Sequence, residues 1–520
     1  MAVEIEKKSF ENLSLQEKAK FIIKERIPSP EDVIYPLTVE FLDPDCELTR
    51  EQRLKVVTMG DRTAISYRNL KEKVIKEDPE LTKQFFESYA LSTKSSKQIP
   101  HSSILEQVNV GPTEKGGDSP ITIEGISILS GLRDICSLRH FGFEAFSSRG
   151  GIFPDNYWRI PGELMNTNIG QELESINKEI YEIYLYLTEK GVEHYLQTLQ
   201  KGEGEKDWQY RWRVLSSTLD NSRQVTNGTF LNHLSMHPNS ALSVRNAVVK
   251  LTSSMYPETV KVANKLLELS KVGLPTVMKY TEASDFEYGL FEKKARLSQE
   301  LGMVTDMSRY DKPGKSRIID AKLSHDANKI FLASFIANKG TGGMDEVFEK
   351  VKNLTSEEID KKIGEVFDGI GLHDVPPKEL EMIHVTFIGE MSLGAIYEAM
   401  RHRLVTHLVT RPTPFRGFTV PEIYKMLGLE KIYFEGIRLN QRQYSLVESL
   451  GSAYDVFKDY LVARGHLIQY TARMSGLDAF HFLKLRASLE AHQDISGPAY
   501  ELERYLKTQS TIFGHLVKKS

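Results

Sequence analysis

One set of landmarks occurs twice along this chain in the same order, and that repetition limits its folding more than any other feature. The first occurrence has His101-Ser102-Ser103-Ile104-Leu105-Glu106, then a predicted helix ending in Ser137-Leu138-Arg139-His140. The second has His373-Asp374-Val375, then Thr386-Phe387, then a predicted helix ending in Ala399-Met400-Arg401-His402-Arg403. Ten residues past the first arginine of each pair stands another, Arg149 and Arg411. Tyr186–Gly191 then parallels Tyr460–Gly465, and predicted helices carry His233-Leu234 and His481-Phe482. The separations differ between the copies, so the duplication is old and loops have been inserted or lost.

A chain of 520 residues is too long for one ordinary core. The polar segment Asp311-Lys312-Pro313-Gly314-Lys315-Ser316 carries both backbone punctuators and reads as an exposed, irregular linker. It divides the chain into an N-terminal extension at 1–45, a more diverged first copy at 46–310 and a better-preserved second copy at 311–520. Leu173, Ile176, Ile180, Ile183, Tyr184 and Leu187 recur at helical spacing and predict an amphipathic helix. Arg317–Ala321 reads as a strand, and Asp326–Asn338 and Ser356–Phe367 as helices.

The net charge of -4 gives no overall attraction to nucleic acid, and none is expected as a partner. The two cysteines, Cys46 and Cys136, have no CxxC partner, so no metal site is expected and a reducing compartment is suggested. The charged start MAVEIEKKSFENLS does not suit a signal peptide, and no run of about 18 apolar residues suggests a membrane span. A cytoplasmic protein is the default expectation.

The second copy resembles the flavin-dependent thymidylate synthases. That family carries a histidine at the start of a helix, a Thr-Phe strand, an Arg-His-Arg triplet and a late helix with His-Phe-Leu-x-Leu-Arg. Here these are His373, Thr386-Phe387, Arg401-His402-Arg403 and His481-Phe482-Leu483-Lys484-Leu485-Arg486. Ala491-His492-Gln493-Asp494-Ile495 sits where the family has Ala-Gln-Trp-Glu-Ile, and the resemblance runs from about Ile318 to Ala499. The first copy departs further. Its triplet reads Arg139-His140-Phe141, Pro238 stands where the second copy has Arg486, and Asn227 stands where the second has Ser475. The resemblance implies an α+β fold in two tandem copies, helices packed on a small, mostly antiparallel sheet.

It also implies a reaction: methyl transfer to C5 of a uridine nucleotide, dUMP to dTMP, using methylenetetrahydrofolate, reduced FAD and NADPH. These ligands are anionic, and the planar arginine fork suits their phosphates. By resemblance Arg401, His402, Arg403, His373 and His481 hold FAD, joined in the first copy by His101, Arg139, His140 and Asn227. Arg486 would be catalytic, stabilising negative charge on the pyrimidine oxygen as C5 becomes nucleophilic. The nucleotide would fall to Ser148, Arg149, Arg211, Arg213 and Arg411. The loop past the triplet is rebuilt: where the family has Glu, Ser and Arg, the copies offer Ser147, Arg149 and Gly151, and Val409, Arg411 and Thr413. A homodimer would mimic the family's homotetramer.

Plainer readings stand beside these. A basic triplet past a helix end suits the helix dipole as a solvated turn. His481, among Phe480, Phe482 and Leu483, also suits a core. Arg211 and Arg213 alternate with Trp208 and Trp212, as packing with cation-π contact would. The eroded loop leaves a non-catalytic nucleotide- or flavin-binding homologue, regulatory or structural, as the alternative to an enzyme.

Overall fold

The computed structural model describes residues 10–43, 45, 47–48, 50–77, 120–238, 240–273, 278, 281–302, 307–340, 342–371, 374–488 and 491–516. The chain divides into two compact units that interleave in sequence: Met1–Thr305 with Pro421–Arg464, and Asp306–Val420 with Gly465–Ser520. The sequence-drawn segments are 46–310 and 311–520, whereas these units divide between 305 and 306 and residues 421–464 join the first unit.

The architecture is mixed α+β with small antiparallel sheets. In the first unit β1 (Thr38–Phe41), β2 (Ile121–Ser127), β3 (Phe141–Ala145) and β4 (Leu231–Pro238) form a sheet ordered β1-β2-β4-β3. In the second, β5 (Arg317–Leu323), β6 (His384–Ser392), β7 (Thr406–Val409) and β8 (Leu467–Ser475) are ordered β5-β6-β8-β7. Each chain path therefore visits the first, second, fourth and third positions of its sheet.

In the first unit every residue of β2 is buried, so the strand lacks the alternation of a half-wet sheet. Val244, Val248 and Leu251 of the helix Ala241–Thr252 and Val262 and Leu266 of Pro257–Gly273 pack with Ile123, Ile126, Leu234 and Met236. The register shifts between Ile123 and Ile126. Gly125 sits in that shift at φ +61°, where a Cβ would lie 2.4 Å from the Pro36 carbonyl oxygen. The expected amphipathic helix is part of α1 (Gly170–Thr198), with Leu173, Ile176, Ile180, Tyr184 and Leu187 buried. Against α1 pack α2 (Asp207–Ser222) and the helix Glu430–Ser449. A core of Leu129, Leu164 and Leu173 is completed by Val447, Phe457 and Leu461.

Two expectations are corrected here. His233-Leu234 lies on strand β4, not on a helix, because Leu231–Met236 is buried throughout and pairs on both sides. Tyr186–Gly191 lies inside α1, whereas Tyr460–Gly465 runs into the turn ahead of β8, so these stretches occupy different places. The turns that do correspond in position are Thr226-Asn227-Gly228 ahead of β4 and Ala463-Arg464-Gly465 ahead of β8.

In the second unit Arg317–Ala321 is strand, and the helices Ala327–Ala337 and Ser356–Val366 fall where the periodicity places them. Two further helices frame the late motifs. Helix α3 (Leu393–Ala399) is buried along its whole length and starts at Ser392, whose hydroxyl accepts the Ala395 N–H. Helix α4 (Gly476–Arg486) starts at a capping box between Ser475 and Asp478. The expected linker is tied down: Pro313-Gly314 pairs in parallel with Phe418-Thr419, and the Ser316 hydroxyl accepts the Ser392 N–H at 3.2 Å.

Candidate functional site

The loop after β3 is a tight turn fixed to the end of the helix Arg50–Gly60. The Ser147 N–H donates to the Asp61 carbonyl at 2.7 Å, and the Gly150 N–H returns to the Ser147 carbonyl at 2.7 Å. Gly151 is required where it stands, because a Cβ would lie 2.8 Å from the Phe146 ring and 3.0 Å from the Arg62 carbonyl oxygen. This turn presents Ser148 and Arg149.

Three guanidinium groups converge there. Arg223, just past α2, and Arg464, in the turn ahead of β8, are both buried, and both donate to the Ser148 Oγ, at 3.3 and 2.8 Å. Asp220, on the last turn of α2, pairs with Arg223 at 2.8 Å and with Arg149 at 2.9 Å. The Arg464 N–H is placed by the Thr226 carbonyl at 2.9 Å, and Asn227 bridges Ala463. Burial, then Tyr181, holds the nearby Tyr184 phenol above its ordinary range, while Arg464 and Arg223 pull the other way; it stays neutral. Guanidiniums gathered around one hydroxyl and one carboxylate raise the local potential. A tetrahedral oxyanion is the ligand such donors suit.

Sequence reasoning named Ser148 and Arg149 but missed Arg223, Arg464 and Asp220. Aligning the copies on Gly228 and Gly465 rather than on Gly191 would have set Asn227 opposite Arg464. Arg211 and Arg213 do not join the group. Arg211 donates to Glu25 at 3.1 Å and stacks near Phe10, and Arg213 pairs with Glu205 at 2.8 Å. Asn227 is packed in a buried amide network instead, donating to Gln443 at 3.0 Å and Asn177 at 3.3 Å while its oxygen accepts the Thr229 N–H. Arg139 and His140 are exposed, with His140 in a left-handed turn at φ +65°. His101 and His373 lie outside the described residues.

The second unit assembles the other set. Past the end of α3, Arg401 is exposed, His402 buried and Arg403 half-buried. The Arg486 Nε donates to His402 Nε2 at 3.0 Å, its Nη2 to the Glu398 carbonyl at 3.1 Å, and its Nη1 faces the Glu398 carboxylate at 3.5 Å. His481 and Phe482 set their rings edge-on to His402, with centroids 5.6 and 5.0 Å away. His407 bridges the His402 carbonyl, at 2.9 Å, and the Tyr470 hydroxyl, at 2.6 Å. Burial, then the Arg486 charge, holds His402 well below its ordinary value. The ring is neutral, and accepting at Nε2 places its proton on Nδ1. Arg486 is thus a brace between the ends of α3 and α4, with its side chain only 15% exposed. Arg411 is half-buried in the segment after β7.

Among the described residues no group of three or more His, Cys, Asp or Glu is arranged to hold a metal, and no helix is long and apolar enough to cross a membrane. No family model matches the chain, and no curated protein matches it. Among solved structures, the UMP/dUMP methylase PolB from Streptomyces cacaoi, bound with 5-Br dUMP, is a weak neighbour. The alignment covers 39% of this chain and 94% of that one, at 13% identity and a TM-score of 0.31.

Proposed function

We propose that this chain binds a phosphorylated pyrimidine nucleotide, with the phosphate held by Ser148, Arg149, Arg223 and Arg464. The convergence of Arg223 and Arg464 on the Ser148 hydroxyl carries this reading. The turn follows the third strand of its sheet, the place where the resemblance puts a nucleotide phosphate. We read the chain as two copies of the flavin-dependent thymidylate synthase fold. The shared strand order of the two sheets supports this.

The reaction that fits this reading is flavin-dependent methyl transfer to C5 of a uridine nucleotide. Arg401 and Arg403, on either side of buried His402, fit as a cationic rim for a dinucleotide diphosphate, and His481 offers a ring beside it. Bound there, reduced FAD would supply the hydride that completes a methyl group carried by methylenetetrahydrofolate. His402 would hold the rim in place as a neutral ring. Arg486 would reach a pyrimidine oxygen only by releasing Glu398 or His402. That engagement favours a second reading, nucleotide binding without chemistry.

Calorimetric titration with dUMP tests the binding. The expected result is saturable binding, weakened roughly tenfold or more in Arg464→Gln and in Arg149→Gln, as loss of a charge-assisted hydrogen bond implies. No binding by the wild-type chain, or unchanged binding in correctly folded variants, overturns the proposal. Flavin absorbance on adding FAD, followed by product analysis with dUMP, the folate and NADPH, separates the two readings.

A further inference from the structure

The stretch Arg309–Arg317, which contains the segment that sequence analysis takes for a linker, is rich in cations and fastened to a second basic segment. Arg309, Lys312, Lys315 and Arg317 lie along it, and Arg416 comes from the turn after β7. The two stretches are clamped. The Phe418 N–H donates to the Lys312 carbonyl at 3.2 Å, and the Tyr310 and Phe415 rings meet at 5.8 Å. Gly417, at φ +82°, is needed because a Cβ would lie 2.5 Å from the Lys312 carbonyl oxygen.

Glu390 of β6, 1% exposed, sits under the clamp. Arg309 Nη1 donates to both of its oxygens at 2.8 Å, which satisfies the buried carboxylate. Arg317 and Arg416 approach opposite oxygens at 3.6 Å, held by charge and too far for hydrogen bonds. Their side chains are 60% and 40% exposed, so they are open to a ligand from solvent. Lys312 and Lys315 are exposed beside them. Asp311 lies in the same stretch, and Glu501 accepts the Ile318 N–H at 2.7 Å. Three guanidiniums around one carboxylate exceed what burying Glu390 demands. Arg309 alone does that, and the other two add a surplus of positive charge with N–H donors not spent on Glu390.

We propose that Arg317 and Arg416, organised by Glu390, form a binding site for a small phosphate ligand, a phosphate monoester or a diphosphate, with Lys312 and Lys315 as its rim. It shares no residue with the Ser148 group, so it stands or falls separately from the function proposed above.

The probe is inorganic pyrophosphate, with orthophosphate and a nucleoside monophosphate as further arms, titrated calorimetrically into the full chain at low and at physiological ionic strength. The expected result is pyrophosphate binding that weakens with salt and falls at least tenfold in Arg317→Gln/Arg416→Gln, while Arg464→Gln binds as the wild type does. The double variant keeps the Arg309–Glu390 bond. Arg317→Gln alone gives the same direction with a smaller fold-change should the double variant fold poorly. Absence of binding of any of the three probes, or equal binding by the wild type and a folded Arg317→Gln variant, overturns the proposal. So does loss of binding in Arg464→Gln alone, which would assign the ligand to the Ser148 group.

Discussion

His402 shows how one hydrogen bond sets a residue's chemistry. Because the Arg486 Nε donates to its Nε2, protonating that nitrogen would break the brace between α3 and α4. The folded state holds the ring neutral, whereas the unfolded chain titrates near 6.5. The stability it contributes is fully present above about pH 6.5 and is lost as pH falls below that value. His233, buried beside Tyr67, is pushed down from 6.5 to about 4 chiefly by burial and acts in the same direction, by up to about 3 kcal/mol. Glu124, pushed up by burial from 4.5 to about 7, acts oppositely: its contribution is complete below 4.5 and lost as pH rises through 7. The unfolding midpoint is therefore expected to drop between about pH 7 and pH 5. In His402→Gln, whose amide oxygen can still accept from Arg486, the drop is shallower. Thermal unfolding followed by circular dichroism across that range checks both. At this scale Ser148 and Arg149 were picked out by their place in the loop past the first Arg-His pair, not by their contacts, since Arg223, Arg464 and Asp220 are all distant in sequence. Arg464 was not readable, because its partner lies more than three hundred positions away.

Elements explain why some of the proposed repeat's landmarks were placed wrongly. Helices with a wet face announce themselves, and α1 did so through Leu173, Ile176, Ile180 and Leu187. Strand β4 is buried from Leu231 to His237, so it carries no alternation and His233 passed for a helical residue. The fastening of 311–316 was equally hidden, since two residues of parallel pairing leave no pattern. Close approach of backbones is a further property that only the fold reveals. Gly436, in the helix Glu430–Ser449, would place a Cβ 3.0 Å from both Cβ and Cγ1 of Val225 and 3.3 Å from Ile183. Gly436→Leu is expected to destabilise the first unit by about 1–3 kcal/mol, the usual cost of overpacking. Urea unfolding measures it, and an unchanged midpoint would mean that this crossing is looser than its distances indicate.

For the whole molecule, the decisive fact is that the first unit takes residues 421–464 from beyond the second unit's first segment. Leu129, Leu164 and Leu173 have their apolar partners in Val447, Phe457 and Leu461. A chain ending at residue 305 keeps the first sheet and its covering helices but lacks the partners that complete this core. It is expected to retain helical far-ultraviolet dichroism, lose near-ultraviolet signal and bind a hydrophobic dye. A cooperative, dye-silent unfolding transition from that fragment would show the excursion to be dispensable. The family resemblance implied a mixed α+β class and the Asp311–Ser316 segment suggested a break, but sequence order hides an excursion of this kind.

The interleaving also sets a schedule for synthesis. On the ribosome, the faces around Leu129, Leu164 and Leu173 emerge long before the residues that cover them. The roughly 270 positions from Leu173 to Val447, 306–420 among them, must be translated in between, on the order of tens of seconds at roughly 5–20 residues per second. Through that interval the nascent chain carries an open apolar seam, so its yield in a cell is tied to holdase capacity and to elongation speed more than to the stability of the finished protein.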